Sequence, residues 1–234
     1  MTRILIVGNT ASIGWNLRKG LKKKKGIECD IIFKPKPIIE GEPTISTIDA
    51  LKVWKYDIIN IHFPTSRFKF PFVILSKLFR KKLVVIFHGS DCRNVKHIYR
   101  LLKWIVCKLA DKIFYSTTDL RKYLPETAIW LPSPIDTEQF KPIDVKDKNV
   151  LIIDGTFGKI PHNKMPLYLN RFKKVQTSID LKLETKAFIS VMALEALACG
   201  CTVVGYEHLN RNYVINNHSI DIVTRKFLRE AEGE

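Results

Sequence analysis

Residues 83–115 read LVVIFHGSDCRNVKHIYRLLKWIVCKLADKIFY. Leu83–Phe87 is a short apolar run rich in β-branched side chains, which predicts a strand buried on both faces. Gly89, Ser90 and Asp91 then predict a turn. From about 93 to 110, Val95, Ile98, Tyr99, Leu102, Ile105, Val106 and Leu109 recur at helical spacing, and Lys112–Tyr115 starts another strand. Strand, turn, helix and strand in this order are the repeating unit of a parallel α/β sheet, because a parallel neighbour can be reached only by a crossover.

The same unit recurs on both sides of this stretch. Further strands are predicted at Ile4–Val7, Asp30–Phe33 and Ile58–Ile61, with helices at about 11–24, 45–54 and 70–80. Residues 141–149 are polar and contain Pro142, so they read as a linker between an N-terminal Rossmann-like domain, 1–142, and a short C-terminal one, 143–234. The second domain is expected to hold strands at Val150–Ile153, near Thr177–Leu183 and at Thr202–Tyr206. An Ala-rich helix is expected at about 190–199, and the polar tail after Glu207 ends in a helix. The fold class is α/β, doubly wound.

The 234 residues are 46% apolar and 26% charged, the balance of a folded globular chain. No stretch approaches the roughly 18 uninterrupted apolar residues of a membrane span, and Arg3–Gly8 is too short for a secretory leader. The expected location is therefore the cytoplasm, at most peripheral at the inner membrane face. Cys29, Cys92, Cys107, Cys199 and Cys201 include no CxxC pair, so reduced thiols are expected and no metal site. A net charge of +16 calls for an anionic partner: nucleic acid, an anionic membrane or phosphorylated small molecules. No recognition-helix motif or aromatic–basic interleaving supports the first, and no nucleic acid is expected. Arg18, Lys19, Lys22 and Lys25 are spaced for one side of the first helix, which reads either as a contact with anionic lipid or as a solvated face.

Two features could carry chemistry. The turn Gly8-Asn9-Thr10-Ala11-Ser12-Ile13-Gly14 follows the first strand, and its small residues either admit an anion to a helix N-terminus or simply let helix and sheet pack closely. It is not Gly-x-Gly-x-x-Gly, and Lys34 stands where a dinucleotide site has an acid, so a nicotinamide cofactor is disfavoured. His62 and His88 each follow a predicted strand directly, and the carboxyl ends of parallel strands are where open α/β sheets bind ligands.

FHGSDCR at 87–93 resembles the His-Gly-Ser-Asp-x-Arg signature of retaining GT-B glycosyltransferases, as do ADKIFYSTTDLRKYLP at 110–125 and WLPSPIDTEQFKP at 130–142. The resemblance implies two Rossmann-like domains facing a cleft. It also implies metal-independent transfer, with retention, from a nucleoside-diphosphate sugar to a saccharide or lipid-linked hydroxyl acceptor. Gly158-Lys159-Ile160-Pro161-His162-Asn163-Lys164 is similar to the family's Arg-x4-Lys pair, so Lys159 and Lys164 would hold the donor diphosphate. Lys159 gives charge without the planar fork of an arginine.

ALEALACGCTVV at 193–204 is similar to the family's helix–turn–strand segment and makes Glu195 the candidate partner of the ribose hydroxyls. The resemblance further places Gly8, Asn9, Thr10 and Ser12 against the diphosphate, Ser190 at a helix N-terminus facing it, and His88 near the transferred sugar. Two departures stand out. Ala187 replaces the first glutamate of the Glu-x7-Glu motif, and the second domain is shorter than the family's. They leave open a binding or scaffold protein that has lost turnover.

Overall fold

The computed structural model describes residues 1–9, 12–32, 52–89, 91–93, 97–142, 148–153, 169, 172–177, 189–204, 206 and 208–233. These fall into two compact units, one running to Pro132 and resuming at Thr224, the other covering Ser133–Val223. The expected division at 142/143 differs from this: the chain leaves the first unit ten residues earlier and returns to it at its C-terminal end.

The first unit is a six-stranded parallel sheet of β1 (Thr2–Val7), β2 (Ile27–Ile32), β3 (Ile58–His62), β4 (Lys82–Phe87), β5 (Lys112–Tyr115) and β6 (Ile129–Trp130), in the order β2-β1-β3-β4-β5-β6. Among the described residues three helices connect them: α1 (Ile13–Lys22), α2 (Phe70–Leu78) and α3 (His97–Leu109). Because β2 lies on one side of β1 and β3, β4 and β5 step away on the other, right-handed crossovers put α1 on one face and α2 and α3 on the opposite one. Packing agrees. Phe72, Val73 and Val106 share a core with Leu5, Ile59, Ile61, Val85 and Phe87, the side chains of one face. Gly14 of α1 lies against Ile6 on the other. Strands buried on both faces are what the apolar runs predict.

β2 starts three residues before its expected position, directly after a turn in which Gly26 has φ +80°, and pairs in register with β1 from Thr2↔Ile27 to Val7↔Ile32. Phe33 and the helix expected at 45–54 lie outside the described residues, apart from a 3-10 turn at Val53–Lys55.

The second unit holds three parallel strands, β7 (Lys148–Ile153), β8 (Phe172–Thr177) and β9 (Thr202–Val203), with α4 (Val191–Ala198) and α5 (Arg211–His218). β8 precedes the strand expected near Thr177–Leu183. Its ladder with β7 runs from Lys148↔Phe172 to Ile153↔Thr177, and the rest of the expected strand, 178–183, lies outside the described residues. β9 is only two residues long, paired with β8 at Lys174↔Thr202 and Val175↔Val203. The core is made by Ile135, Phe140, Leu169, Val203, Val214 and the apolar residues of α4. The Arg211 guanidinium donates to the carbonyls of Phe140, Thr137 and Ala198, closing the C-terminal end of α4 where carbonyls lack helical partners. α6 (Ile220–Glu232) starts in this unit and ends in the first, where Phe227 is fully buried with its ring centroid 5.8 Å from that of Phe114.

Candidate functional site

In the first sheet the strand order reverses between β1 and β3, and ligands of open α/β sheets bind at such a switch point, outside the carboxyl ends of the strands. Gly8 ends β1 there with φ +105°, and its N–H donates to Ile32 O at 2.7 Å. A side chain at this position would place Cβ 2.6 Å from Lys69 Nζ and 3.3 Å from His62 O. Glycine is thus needed both for the backbone angle and for the amine that lies on it. The Asn9 carboxamide oxygen accepts from Trp15 N at 3.0 Å, so Asn9 satisfies a free N–H in the first turn of α1. Ser12, at the N-cap position itself, is buried in the left-handed region, φ 61°, and its side chain makes no capping bond. Phe63, directly after β3, has φ 54°. Strained non-glycine residues thus follow two of the strands that meet at the switch point, the kind of place where such strain collects in binding sites.

Asn60, His62 and His88 lie on the same side of the sheet, along β3 and directly after β4, and form a hydrogen-bonded chain in which Asn60 and His62 are fully buried and His88 half-buried. Asn60 Nδ2 donates to Val84 O at 3.5 Å, which turns Oδ1 toward His62 Nε2, 3.0 Å away. An amide oxygen only accepts, so His62 carries its proton on Nε2. His62 Nδ1 is then a lone pair, and His88 Nε2, 3.0 Å from it, must donate. This leaves His88 Nδ1 as an acceptor, removed from solvent and with no hydrogen-bond partner among the described residues. Burial, then the neighbouring His88 and Lys69, push the His62 pKa well below its usual value; burial and Lys69 lower His88 to about 3. Both rings are neutral near pH 7. His88 therefore offers a hydroxyl an oriented acceptor; it is too weak a base to hold a proton.

Lys69 Nζ donates to His62 O at 2.6 Å and stands 5.3 Å above the Phe63 ring. Burial lowers its pKa to about 8 against the pull of Asp91. Asp91 Oδ1 accepts from the N–H groups of His88 and Gly89 at 3.0 and 2.9 Å, while Oδ2 is buried with no partner among the described residues. Desolvation raises this carboxyl to about 6 despite those two bonds and Lys69. Arg93 sits under the same loop. It forks onto Asp119 at 2.7 and 2.8 Å, donates to Thr117 Oγ1 at 3.2 Å and underlies Gly89, so it holds the loop in place.

The folded pKa of Asp91 lies above the unfolded one, so its contribution favours the fold below about pH 4 and is lost as pH rises through 6. A shift from 3.8 to about 6 costs at most about 3 kcal/mol at pH 7. Asp91→Asn keeps the acceptor oxygen and removes the buried charge, but also the attraction to Lys69. Urea unfolding at pH 7 should show a gain of about 1–2 kcal/mol, shrinking to nothing near pH 4.

Of the residues predicted for the site, the fold brings Gly8, Asn9, Ser12 and His88 to this end of the first sheet. Sequence reasoning missed Asn60 and Lys69. In the second unit Ser190 is the N-cap of α4, its Oγ accepting from Ala193 N at 3.1 Å, and Glu195 is buried in the middle of that helix. Thr10, Lys159 and Lys164 lie outside the described residues. The reading of Arg18 as part of a basic helix face is corrected: Arg18 is buried, donates from Nε to Cys29 O at 3.2 Å and lies 5.0 Å from the Trp15 ring. α1 also ends at Lys22, so Lys25 is not on it; Lys19, Lys22 and Lys25 are exposed. All five cysteines are free thiols, and burial pushes Cys29 up to about 12. Among the described residues no three His, Cys, Asp or Glu side chains gather as a metal site.

No protein-family model matches the chain, and no curated protein does. Among solved structures it is similar to HepE of Anabaena, a crystal structure in complex with UDP and glucose, over 100% of both chains, with a TM-score of 0.62 and 10% identity. It also aligns with an α-glucosyltransferase in complex with UDP, over 90% of this chain and 78% of the other, at TM-score 0.47 and 15% identity. The first likeness establishes the architecture as GT-B-like, two Rossmann-like α/β units of which the second is small.

Proposed function

We propose that this protein is a glycosyltransferase that moves a sugar from a nucleoside-diphosphate sugar to a hydroxyl acceptor, saccharide or lipid-linked, with retention and without a metal. The observation that carries the reading is the hydrogen-bonded chain Asn60–His62–His88, whose end, His88 Nδ1, has no partner among the described residues and lies in the same cluster as Lys69 and the Gly8 turn. An unsatisfied buried acceptor is costly unless a ligand completes it. A sugar hydroxyl donating to His88 Nδ1 would do so, while Lys69 and the N-terminal turn of α1 suit phosphate oxygens. HepE, the fold neighbour, was crystallised with UDP and glucose, which agrees with a UDP-sugar donor. By the resemblance, Lys159 and Lys164 add charge to the leaving diphosphate, and Glu195 and the N-terminal turn of α4 hold the nucleotide. The cytoplasm, or its membrane face, is where such donors occur.

A second reading, sugar-nucleotide binding without turnover, rests on Ala187 at the place of the motif's first glutamate. Calorimetry with UDP- and GDP-sugars, run beside a donor-hydrolysis assay, separates the two: binding with release of nucleotide diphosphate supports the enzyme, and binding alone supports the second reading. Lys69→Ala, Lys159→Ala and Lys164→Ala should each weaken donor binding about tenfold, close to 1.4 kcal/mol. Unchanged affinity in all three would remove the diphosphate site from this protein.

A further inference from the structure

The face of the first sheet covered by α2 and α3 is unusual in two ways. Six large apolar side chains project from it into solvent: Ile74, Leu78 and Phe79 from α2 and its end, and Ile98, Leu101 and Trp104 from α3, with exposures from 37% at Phe79 to 69% at Leu78. On α2, Ile74 and Leu78 stand one turn apart, opposite Phe72, Val73 and Ser76, which are buried. These helices therefore carry a second apolar side in addition to the one in the core. Several large apolar side chains exposed on neighbouring helices of one face suit a membrane or protein contact.

The second feature is charge. Between Asp57 and Asp111 there are eleven lysines and arginines, and the one acidic residue is Asp91, buried in the site described above. Lys77, Arg80, Lys81 and Lys82, with Asp111, line an open pocket of about 430 Å³ at the C-terminal end of α2, beside Leu78 and Phe79. Lys77 is paired with Asp111 at 2.6 Å, which leaves three of the four cations outside that ion pair.

We propose that this face docks on an anionic phospholipid bilayer, the apolar side chains of α2 and α3 entering the interface and the basic pocket receiving phosphate headgroups. A second copy of the chain fits less well, since a two-fold contact sets each patch against itself and these cations against one another. The protruding side chains and the Trp104 ring suit the boundary between headgroup and acyl chain. The exposed lysines of α1, Lys19 and Lys22, are on the opposite face of the sheet and cannot lie on the same plane. The inference stands apart from the transferase reading, because its test contains no donor.

The full chain is sedimented with vesicles of phosphatidylcholine alone and with added phosphatidylglycerol. Retention is expected on the anionic vesicles only and should fall as salt is raised. Leu101→Ser with Trp104→Ser leaves charge unchanged and should lower partitioning at least about tenfold, and Leu78→Ser alone should lower it in the same direction. Arg80→Glu with Lys81→Glu should abolish retention, and Lys19→Glu with Lys22→Glu should leave it intact. Wild-type-like binding by both apolar variants, loss of binding through the α1 pair, or no retention on anionic vesicles overturns the proposal. So does a dimer in sedimentation velocity that Trp104→Ser dissolves, which would make the face an interface between copies. An unchanged thermal midpoint confirms that each variant folds.

Discussion

Lowering the pH from 6.5 to 4.5 should remove about 5 kcal/mol of stability, a large share of what a chain of this kind has. Three histidines cause it, His62 and His218 buried and His88 half-buried. His62 is held well below its ordinary value by burial, His88 and Lys69; His88 is lowered to about 3 by burial and Lys69; and His218 to about 4 by burial, against the carbonyl of Ser133 that accepts from its Nδ1. In the unfolded chain each takes up a proton near its ordinary pKa of 6.5, while in the folded chain none does. The stability they contribute is therefore complete above 6.5 and is lost as pH falls, at about 1.4 kcal/mol per pH unit for each ring. Asp91 opposes the trend below its folded value of about 6, because there it is the native state that binds the extra proton. Two protons net remain, and the slope is about 3 kcal/mol per unit between pH 6 and 4. Urea unfolding at half-unit pH intervals measures it directly. A flat profile would mean that the rings are charged in the folded protein, and the hydrogen-bond chain ending at His88 Nδ1 would then be wrong.

Gly14→Ala should destabilise the protein by about 3 kcal/mol, the cost of overpacking against an atom that cannot turn aside. In an open helix the same change gains about 1 kcal/mol, because alanine is the better helix former. Here a Cβ falls well inside contact distance of the Gly8 carbonyl oxygen and 3.4 Å from both Asn9 Cα and Ile6 Cγ2. The obstacle is backbone, so α1 must back away from β1 or the Gly8 turn must open. Gly26→Ala is the control: its φ of +80° is strained for alanine, but nothing lies within 4 Å, and the loss should stay near 1 kcal/mol. Thermal and urea midpoints of both variants make the comparison. A gain at Gly14 would show that helix and turn are not in contact, and that the small residues there serve only a ligand.

The first sheet was legible because its strands are buried on both faces and consist of short, β-branched runs such as Leu83–Phe87, closed by turn residues such as Gly89. His62 and His88 were legible for the same reason: a strand end is visible in a sequence, and ligands gather there. Lys69 was not. It follows His62 by seven residues, and only the path of the Phe63–Lys69 turn carries its amine back onto Gly8. Asn60 had a faint signal, a lone amide two residues before His62 in an otherwise apolar strand, where a buried polar group needs a partner. Arg18 misled because helical spacing groups it with lysines, whereas the Cys29 carbonyl and the Trp15 ring that hold it come from the fold. In the second unit, β8 is set by pairing with β7, a long-range contact that local apolarity does not report.

The return of α6 to the first unit has a consequence for the order of synthesis. Phe227, buried beside Phe114, leaves the ribosome after every residue of the second unit, so the N-terminal half, though translated first, completes its core last. Until then Phe114 has no cover from that helix, and the nascent chain carries an apolar surface that a chaperone would hold.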